Sequence, residues 1–443
     1  MSLTISSYRR TSASRIATTQ AAASSRYWDQ SQSAGLSVLG RPGSVPVPLA
    51  SLVPSVRLMV PNNVVQKVQR RRAPASAGPA GGLWRCNRLV LPENTSRTTS
   101  ARPSPGACRG SGRNSLNDIE AAAAPGALQG QNLMLVITTY NRSDYLRGLL
   151  DSVRALRPAP TAVVVVDNAS TDDTPAVIAE VAAQTPFPVL HHRLATNTGG
   201  AGGFAAGMER ALAEGADWLW IMDDDVTAVP GALAALAPFT GRYKCLHGRR
   251  WDAAGRPFFW QHRFVDFLGI HLPVPGDVFR HSPVFRTNVG CFEGMLVHAS
   301  VVREVGLPDP RFFLGGDDST YGWLISQTHE VAYVDAYVLA KTRPQRQISL
   351  GVRHLNDSSD LSRFYSMRNR GLVAQYLRTR GRYAPAGFAL GTLLTAGKEV
   401  LRLVAVERSV SGLPALARGW REGRRIRRDP AWQPMPPLTG AAR

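Results

Sequence analysis

The sequence predicts an α/β protein with a parallel sheet, and three observations support this fold class. Apolar runs of strand length occur at residues 133–138, 161–166 and 218–222. Segments whose apolar residues have helical spacing lie between these runs. Polar or acidic residues follow each run directly. Strands that alternate with helices at this spacing are typical of βαβ units and a parallel sheet.

Local patterns along the chain predict the individual elements. A helix is predicted over residues 143–156, with an apolar face formed by Leu146, Leu149, Leu150 and Val153. The second strand is almost continuously Val, as expected of a parallel strand covered on both faces. The polar turn 167–173 supplies N-cap residues for a helix with Pro175 in its first turn. We predict the remaining elements at residues 189–194 (strand), 204–214 (helix), 317–328 (helix), 331–339 (one or two strands), 358–380 and 388–428 (helices).

Three consecutive carboxylates, Asp223, Asp224 and Asp225, follow the third apolar run. Adjacent negative charges repel one another unless a cation lies between them. A hard divalent metal suits such oxygen ligands and keeps positions open for phosphate oxygens. The alternative is an acidic turn that caps the next helix. We favour a metal site, because open α/β sheets bind ligands outside the carboxyl ends of their strands.

The ends of the first two predicted strands are expected to lie side by side above the sheet. The first ends in Thr138-Thr139-Tyr140-Asn141-Arg142 and the second in Asp167-Asn168. A carboxylate there can accept hydrogen bonds from a base or a ribose. The sequence has no GxGxxG after the first strand and no GxxxxGK[ST], so neither a Rossmann dinucleotide site nor a P-loop is indicated. Asp167 is either a helix-capping residue or a ligand-binding residue.

A glycine-rich stretch at residues 197–203 leads into a predicted helix. Glycines permit positive φ and close backbone approach, and a helix N-terminus favours anions. The stretch is either a flexible structural turn or, as we favour, a loop that admits a sugar nucleotide.

A second acidic pair, Asp317-Asp318, follows Gly315-Gly316. Asp318 can act as a general base if burial or a neighbouring carboxylate raises its pKa. The alternative is that one of the two residues caps the helix that follows.

The net charge of +20 is concentrated at the two ends of the chain. Residues 1–130 hold 15 Arg and one Lys against four acidic residues, a net charge of +12, and a second basic cluster lies at residues 421–428. Such ends suggest contact with an anionic surface. Nucleic acid is the rival partner, but no zinc finger, basic zipper or aromatic RNA-binding pattern is present, so we predict none. Four separated cysteines argue against a disulfide scaffold and are compatible with a reducing compartment.

The chain is predicted to have three parts. Residues 1–130 lack sustained periodicity, so we expect disorder or a translation start placed too far upstream, and no catalytic role. Residues 131–345 are expected to form the catalytic domain. Residues 346–443 are expected to form a helical, basic region that associates with membrane, without a spanning helix.

Four segments, taken in order, resemble glycosyltransferase family 2. They are Thr-Thr-Tyr-Asn-Arg at 138–142, Val-Asp-Asn-Ala-Ser-Thr-Asp at 166–172, Asn-Thr-Gly-Gly-Ala-Gly-Gly-Phe at 197–204 and Met-Asp-Asp-Asp at 222–225. The last two look most like the galactofuranosyltransferase and rhamnosyltransferase branch. The resemblance covers about residues 133–370. It implies a GT-A fold, a Rossmann-like nucleotide-diphospho-sugar transferase domain, and an inverting transfer that depends on Mn²⁺ or Mg²⁺.

The resemblance also implies roles for single residues. Asp223 and Asp225 match the metal ligands, and Asp318, with Asp317 beside it, matches the catalytic aspartate of the family's Trp-Asp-Asp motif. The expected contacts to the nucleotide-sugar donor come from Thr138, Tyr140, Arg142, Asp167, Asn197, Gly199, Gly200 and Asp224. Residues 363–370, which include Arg368 and Asn369, resemble an Arg-Asn segment of the family. Their guanidinium groups either bind diphosphate or lie on a solvated helix face.

This sequence departs from the family pattern at three positions. Gly316 stands where the family has Trp, and Thr320 stands where Glu or Asp is usual. Ala340 lies where the family often supplies a histidine ligand, so His354 or His329 would have to replace it.

The sequence thus predicts an inverting glycosyltransferase that uses a UDP- or dTDP-sugar and a lipid-linked glycan acceptor. We expect it at the cytoplasmic face of the membrane, in cell-wall or surface polysaccharide synthesis. Galactofuranose and rhamnose are the leading sugars. The alternatives are a degenerate, non-catalytic domain that binds carbohydrate or a partner, and a metal-dependent nucleotidyltransferase.

Overall fold

A computed structural model describes residues 128–258, 260–343 and 359–438, together with the backbone of 347–349 and 354–356. The predicted N-terminal part, up to residue 127, lies outside the described residues. The strands are β1 Leu133–Thr139, β2 Ala162–Asp167, β3 Val189–Arg193, β4 Trp218–Asp223, β5 Val226–Ala228, β6 Cys245–Trp251, β7 Pro257–Phe258, β8 His262–Val265, β9 Ile270–Pro273, β10 Val284–Thr287, β11 Met295–His298, β12 Val331–Lys341, β13 Gln347–Ser349 and β14 His354–Asn356.

The α-helices are α1 Ser143–Arg154, α2 Thr174–Ala182, α3 Gly199–Ala213, α4 Ala232–Leu236, α5 Ala299–Val305, α6 Asp317–Ile325, α7 Asp360–Arg368, α8 Arg370–Thr379, α9 Pro385–Arg402 and α10 Leu413–Arg428. Short 3₁₀ turns lie at Ala237–Phe239 and Pro310–Phe312, and a π-helical turn, Leu403–Glu407, follows α9. In the described part of the chain, no helix combines the length and the apolar character needed to cross a membrane.

The main sheet contains a parallel half and a mixed half. Its order is β10-β12-β6-β11-β4-β1-β2-β3, with β5 paired to β12 and β7 paired to β6. Strands β4, β1, β2 and β3 are parallel, whereas β11 runs antiparallel between β4 and β6. The predicted α/β class is therefore confirmed, and the strand ends that carry the polar segments lie along one edge.

Apolar residues of the central strands fill both faces of the sheet. In β1, Leu135 and Ile137 belong to one buried cluster, while Met134 and Val136 belong to another on the opposite face. Alternate side chains of a strand point to opposite faces, so a strand covered on both sides is apolar at every position. This explains the continuous apolar runs in the sequence.

Helix α3 begins at Gly199, five residues before the helix start that the sequence suggested. Its glycines allow it to lie close against β1. A Cβ atom at Gly203 would lie 2.3 Å from Thr138 Cγ2, and one at Gly207 would lie 2.5 Å from Val136 Cγ1. The glycine-rich stretch therefore forms the first turns of a buried helix, and the prediction that it precedes the helix as a loop is wrong for residues 199–203.

Candidate active site

Two carboxylates of the aspartate triplet meet a third from another part of the chain. Oxygens of Asp223, Asp225 and Glu293 all lie within 4.8 Å of one another. Asp223 ends β4, and Glu293 precedes β11, whose antiparallel pairing places its first residue, Met295, opposite Ile221. Burial raises the pKa of Asp223 well above its usual range, and the charges of Asp225 and Glu293 add to the effect. The cluster offers the oxygen ligands that divalent metals prefer.

Two basic side chains contact Glu293 within this cluster. Lys341 Nζ lies 2.6 Å from Glu293 Oε2, and Arg250 Nη1 lies 2.9 Å from Oε1. Burial acts to raise the pKa of Glu293, but Arg250 and Lys341 outweigh it and lower that pKa. Glu293 is therefore ionised and able to serve a cation.

Asp224, the middle residue of the triplet, has a different role in the structure. It is buried and accepts hydrogen bonds from Thr139 Oγ1 at 2.7 Å and Arg142 Nη1 at 3.0 Å. Arg142 also lies 3.7 Å from Asp225. This ion pair fixes the triplet relative to β1, and the predicted donor contacts of Asp224 and Arg142 stay predictions.

Asp167 ends β2 directly beside the end of β1 and is fully buried. Its Oδ1 accepts a hydrogen bond from Ser170 N at 2.7 Å, and its Oδ2 accepts one from Arg193 Nη1 at 2.7 Å. His191 Nε2 lies 3.4 Å from the same oxygen. Asp172, rather than Asp167, bonds the start of α2 through Thr174 N, so Asp167 is not the cap of that helix.

A network of side-chain amides orders residues 197–200 at the start of α3. Asn168 accepts a hydrogen bond from Thr198 N and donates one to Gly199 O, both at 2.8 Å. Asn197 Oδ1 accepts one from Gly199 N at 2.8 Å. Gly199 has φ of 73°, and a Cβ there would lie 2.1 Å from Phe313 O, so only glycine fits.

The remaining predicted donor residues line the same edge. At Gly200 a Cβ would have only an ordinary contact, 3.9 Å from Phe204. Thr138 is paired with Asp223 across β1 and β4, and its buried hydroxyl has no hydrogen-bond partner among the described residues. Tyr140 follows β1 and is half-buried.

The second acidic pair begins helix α6. Gly316 precedes it with φ of 81°, a left-handed conformation. Asp317 is buried, and burial, with the charge of Asp318, raises its pKa to about 7. Burial also raises the pKa of Asp318, whose Oδ1 accepts a hydrogen bond from Ser319 N at 2.6 Å. The N-cap position is Gly316 and no described side chain caps the helix, so the interpretation of Asp317 or Asp318 as a cap is wrong. Asp318 instead has the raised proton affinity that a general base requires.

Arg250 connects the two acidic sites. Its Nη1 lies 3.5 Å from Cys291 Sγ while pairing with Glu293. Cys291 and Arg250 both act to lower the pKa of Asp318, against the larger effect of burial. Asp318 and the carboxylate cluster of Asp223, Asp225 and Glu293 are therefore linked electrostatically through Arg250.

Asn369 holds the loop before the acidic pair, which we call the base loop (residues 311–316). Its Nδ2 donates to the carbonyl oxygens of Phe312 at 2.9 Å, Leu314 at 3.1 Å and Gly315 at 2.8 Å. Phe313 between them has φ of 61°, which is uncommon for a residue with a side chain. Arg368 Nη1 adds a hydrogen bond of 2.7 Å to Arg311 O. The junction of α7 and α8 therefore positions the base loop.

Comparison with known proteins identifies the family. The model of glycosyl transferase family 2 matches residues 134–305. Galactofuranosyltransferase GlfT1 of Mycobacterium tuberculosis is 30% identical over 263 residues, which are 55% of this chain and 82% of that protein. The chain belongs to glycosyl transferase family 2. It is therefore a glycosyltransferase with a GT-A fold.

Two further similarities were found. GlfT1 of Mycolicibacterium smegmatis is 32% identical over 194 residues, which are 41% of this chain and 61% of that protein. The crystal structure of S. aureus TarS 1-349 has a TM-score of 0.43 and 15% identity, over 67% of this chain and 80% of that one.

At the positions where this chain departs from the family 2 pattern, backbone conformation, burial or a neighbouring contact restricts the residue. Gly316 adopts the left-handed conformation that turns the chain into α6, and Thr320 is buried inside that helix. His329 bonds Glu304 at 2.9 Å, and the His354 side chain lies outside the described residues. Beside Ala340, Lys341 contacts the acidic cluster.

The arginines of residues 363–370 do not lie on a solvated helix face. Arg363, Arg368 and Arg370 are all buried. Arg363 pairs with Asp360 and Glu407, and Arg370 bonds backbone carbonyls, among them Phe388 O at 3.1 Å. The solvated-face alternative is therefore wrong for these three residues.

Sequence reasoning missed Glu293, Arg250 and Lys341. One local signal for Glu293 exists, because it stands just before the short apolar run Met295-Leu296-Val297. That run is antiparallel to β4, so its beginning lies beside the aspartate triplet. The single sequence does not reveal this antiparallel placement.

Proposed function

We propose that this family 2 protein moves a sugar, with inversion, from a nucleotide-sugar donor to a hydroxyl group of a lipid-linked glycan. One observation carries the proposal: a three-carboxylate cluster and a second acidic pair share Arg250 as their connection. The first site is suited to bind the cation that accompanies the donor diphosphate. The second is suited to accept a proton from the acceptor hydroxyl. Inverting transfer needs both functions in one pocket.

Asp223, Asp225 and Glu293 would hold the divalent ion, Mn²⁺ or Mg²⁺. The three oxygens fit this role because they converge within 4.8 Å. Among the described residues, Glu293 Oε1 has no aligned hydrogen-bond donor, although Arg250 lies beside it. When bound, such an ion neutralises the donor diphosphate and stabilises it as it leaves. The ion pair between Arg142 and Asp224 would hold Asp223 and Asp225 in place beside the nucleotide.

Asp318 would remove the proton from the acceptor hydroxyl. The hydroxyl oxygen forms a bond to the anomeric carbon from the face opposite the leaving group, while the bond from that carbon to the diphosphate oxygen breaks. The electron pair leaves with the nucleoside diphosphate, and a single displacement inverts the configuration. The buried Asp317 beside it supports the raised proton affinity of the pair.

The donor would lie along the ends of β1 and β2 and the start of α3, where Thr138, Tyr140, Asp167, Asn197, Gly199 and Gly200 are placed. UDP-galactofuranose is the first choice, because the relatives from two mycobacterial species are named galactofuranosyltransferases. A dTDP-rhamnose donor is the second choice.

We further propose that the protein acts at the cytoplasmic face of a membrane. Helix α9 and the π-helical turn that follows it expose aliphatic side chains, among them Leu393 at 69% and Val404 at 57%. Helix α10 carries five arginines at positions 421, 424, 425, 427 and 428. Apolar and basic surfaces together favour binding to anionic lipid, in support of synthesis of a cell-wall or surface polysaccharide.

The three-part organisation is also a proposal. Residues 131–345 would carry the chemistry, and residues 346–443 would attach the protein to membrane and position the base loop through Asn369. Residues 1–130 would be dispensable. Deletion of residues 1–127 is expected to leave the transfer rate unchanged; loss of folding in the remainder would contradict this proposal.

The experiment is a donor screen with purified protein. Hydrolysis and transfer are measured for UDP-galactofuranose, dTDP-rhamnose and other nucleotide sugars, with and without Mn²⁺ or Mg²⁺. Metal-dependent release of nucleoside diphosphate, with transfer to a glycolipid acceptor, is expected for one donor. Donor binding without turnover would favour a degenerate binding domain, and release of pyrophosphate from a nucleoside triphosphate would favour a nucleotidyltransferase.

A further inference from the structure

A cavity of about 270 Å³ lies between helices α8, α9 and α10. Apolar side chains from α9, from α10 and from the end of α7 form most of its lining, among them Met367, Phe388, Leu393 and Trp420. The charged side chains that line it are three arginines, Arg370, Arg424 and Arg427. An apolar space whose charged groups are all cationic suits an anionic amphiphile.

We propose that this cavity binds a long-chain lipid phosphate, with the phosphate among the three arginines and the start of the hydrocarbon chain against the apolar side chains. The inference rests on the proposed function and deepens it, because it assigns a site to the lipid part of the acceptor. The volume lies just below the roughly 300–1,000 Å³ of small-ligand pockets. It therefore holds a phosphate and part of one chain rather than a whole two-chain phospholipid.

Arg370 provides the strongest evidence, because it is buried without a balancing acid. Its partners are Thr392 Oγ1 at 3.2 Å and the backbone carbonyls of Leu268 at 2.9 Å, Phe388 at 3.1 Å and Gly269. Among the residues that the structure describes, no carboxylate lies within salt-bridge distance of it. A buried charge is costly unless an opposite charge pairs with it. An anion in the cavity would supply the missing partner.

The other two arginines are half-buried and also lack a carboxylate partner among the described residues. Arg427 Nη1 bonds Tyr383 Oη at 3.2 Å, and the Arg424 guanidinium lies 4.7 Å from the centre of the Trp420 ring. Burial lowers the pKa of Arg370 to about 9, and the charge of Arg427 acts in the same direction. The two cations therefore repel each other until an anion lies between them.

The cavity is accessible from the exposed apolar face of α9. Leu393, one of its lining residues, is also part of that face, and Trp420 at 43% exposure lies at the cavity as well. A hydrocarbon chain can therefore leave the cavity along an apolar surface rather than through water.

The cavity is also connected to the proposed general base, Asp318, through neighbouring residues of the chain and one hydrogen bond. Arg370 directly follows Asn369, and Asn369 bonds Gly315 O at 2.8 Å, three residues before Asp318. A glycan attached to a phosphate at Arg370 would thus extend from the helix junction that positions the base loop.

The test measures binding of geranylgeranyl phosphate to the full chain below the micelle concentration of the lipid, by tryptophan fluorescence and by calorimetry. Geranylgeraniol and inorganic phosphate are the matched probes that lack one half of the ligand. We expect the lipid phosphate to bind at least about 10-fold more tightly than either probe, since both a chain and charge-assisted bonds contribute. Equal binding of inorganic phosphate would overturn the proposal.

Matched variants locate the site. The double variant Arg424→Gln, Arg427→Gln is expected to weaken binding of the lipid phosphate about 10-fold or more. The control, Arg421→Gln with Arg425→Gln, removes the same charge from the same helix outside the cavity and should leave binding unchanged. Ala389→Trp, which fills the cavity without altering charge, should also abolish binding. An equal loss in the control pair, or full binding by Ala389→Trp, would show that the lipid binds elsewhere.

A separate readout distinguishes failure of this inference from failure of the proposed function. Hydrolysis of the nucleotide sugar in the absence of acceptor should be the same in the double variant and in the unmodified protein. If hydrolysis is normal and the lipid phosphate does not bind, the cavity assignment is wrong while the glycosyltransferase proposal stands. If the lipid phosphate binds but no nucleotide sugar is turned over, the proposed function fails and the cavity assignment stands as a binding site alone.

Discussion

The two acidic sites of this protein differ in what balances their negative charge. In the first site, which contains Asp223, Asp225 and Glu293, three basic side chains lie within salt-bridge distance of a carboxylate. Arg142 pairs with Asp225, and Arg250 and Lys341 pair with Glu293. Asp317 and Asp318, within the described residues, have no such ion pair. In the first site Arg250 and Lys341 lower the pKa of Glu293, while burial raises that of Asp223. In the second site burial raises the pKa of both carboxyl groups, and no ion pair among the described residues opposes it.

The largest effect is expected from removing the proposed metal ligands. Asp223→Asn combined with Asp225→Asn should lower kcat by more than about 10³-fold, because the leaving diphosphate loses its neutralising charge. Binding of Mn²⁺, followed by electron paramagnetic resonance, should be lost in the same variant. Asp217→Asn is the control, since Asp217 precedes the same strand and bonds Asn132 N at 2.9 Å. Retained Mn²⁺ binding in the double variant would remove the ligand assignment.

The base site should respond differently. Asp318→Asn is expected to lower the transfer rate by about 10²- to 10³-fold, because an amide cannot accept the acceptor proton. Donor binding, measured by calorimetry with the nucleoside diphosphate and Mn²⁺, should stay nearly unchanged. If donor affinity fell together with turnover, the separation of the two sites into a cation site and a proton site would be wrong.

A third prediction concerns the positioning of the base. Asn369→Asp replaces the donor that serves three backbone carbonyls with an oxygen, so the base loop should shift and kcat fall roughly 10- to 100-fold, with an unchanged KM for the donor. Gln375→Glu is the matched control. It is also a buried amide, and it donates to Ile426 O at 2.8 Å and Asp429 O at 2.9 Å, away from the base loop.

Both variants should lower the melting temperature, but only Asn369→Asp should reduce kcat beyond that loss. A Gln375→Glu enzyme with the same fall in kcat would show that Asn369 stabilises the fold without positioning the base.

The pH dependence of kcat should reflect the titration of Asp317 and Asp318. Because burial raises the pKa of Asp317 to about 7 and that of Asp318 above its usual range, the base is protonated in acid and kcat should rise with pH up to about neutrality. Asp317→Asn removes the adjacent negative charge, so this rise should move to lower pH. A profile that does not move would mean that the two carboxyl groups titrate independently.

The smallest effect is expected at Lys341. Its ammonium group lies 2.6 Å from Glu293 and competes with a cation for that carboxylate. Lys341→Gln should therefore tighten Mn²⁺ binding by about 3- to 10-fold, on the scale of a single partly screened charge. Weaker Mn²⁺ binding in this variant would show that Lys341 orders Glu293 rather than competing for it.

The same comparison shows how far the sequence alone predicts this structure. The parallel half of the sheet was predictable, because its strands are continuous apolar runs and its polar ends follow them directly in the chain. Asp223 and Asp225 are predictable for the same reason, whereas Asp318 is predicted from an acidic pair before a helix and from the family resemblance. The start of α3 was placed too late, since a run of glycines has no apolar periodicity, although close packing on β1 requires those glycines.

The mixed half was not predictable in the same way. Glu293, Arg250 and Lys341 come from three strands or their ends that are far apart in the chain, and antiparallel insertion of β11 between β4 and β6 brings them together. Asn369 donates hydrogen bonds to carbonyl oxygens that lie 54 to 57 residues earlier in the chain. Neither long-range pairing leaves a local pattern.

The contact between Gly199 and Phe313 has a kinetic consequence. Ala201 N donates a hydrogen bond of 3.2 Å to Phe313 O, and Gly199 leaves no room between that oxygen and the start of α3. The nucleotide-sugar donor is expected beside Gly199. If donor binding displaces the turn at Gly199, Phe313 must move with it, and this movement would change the position of Asp318. We therefore expect substrates to bind in a compulsory order, with the nucleotide sugar entering before the glycan.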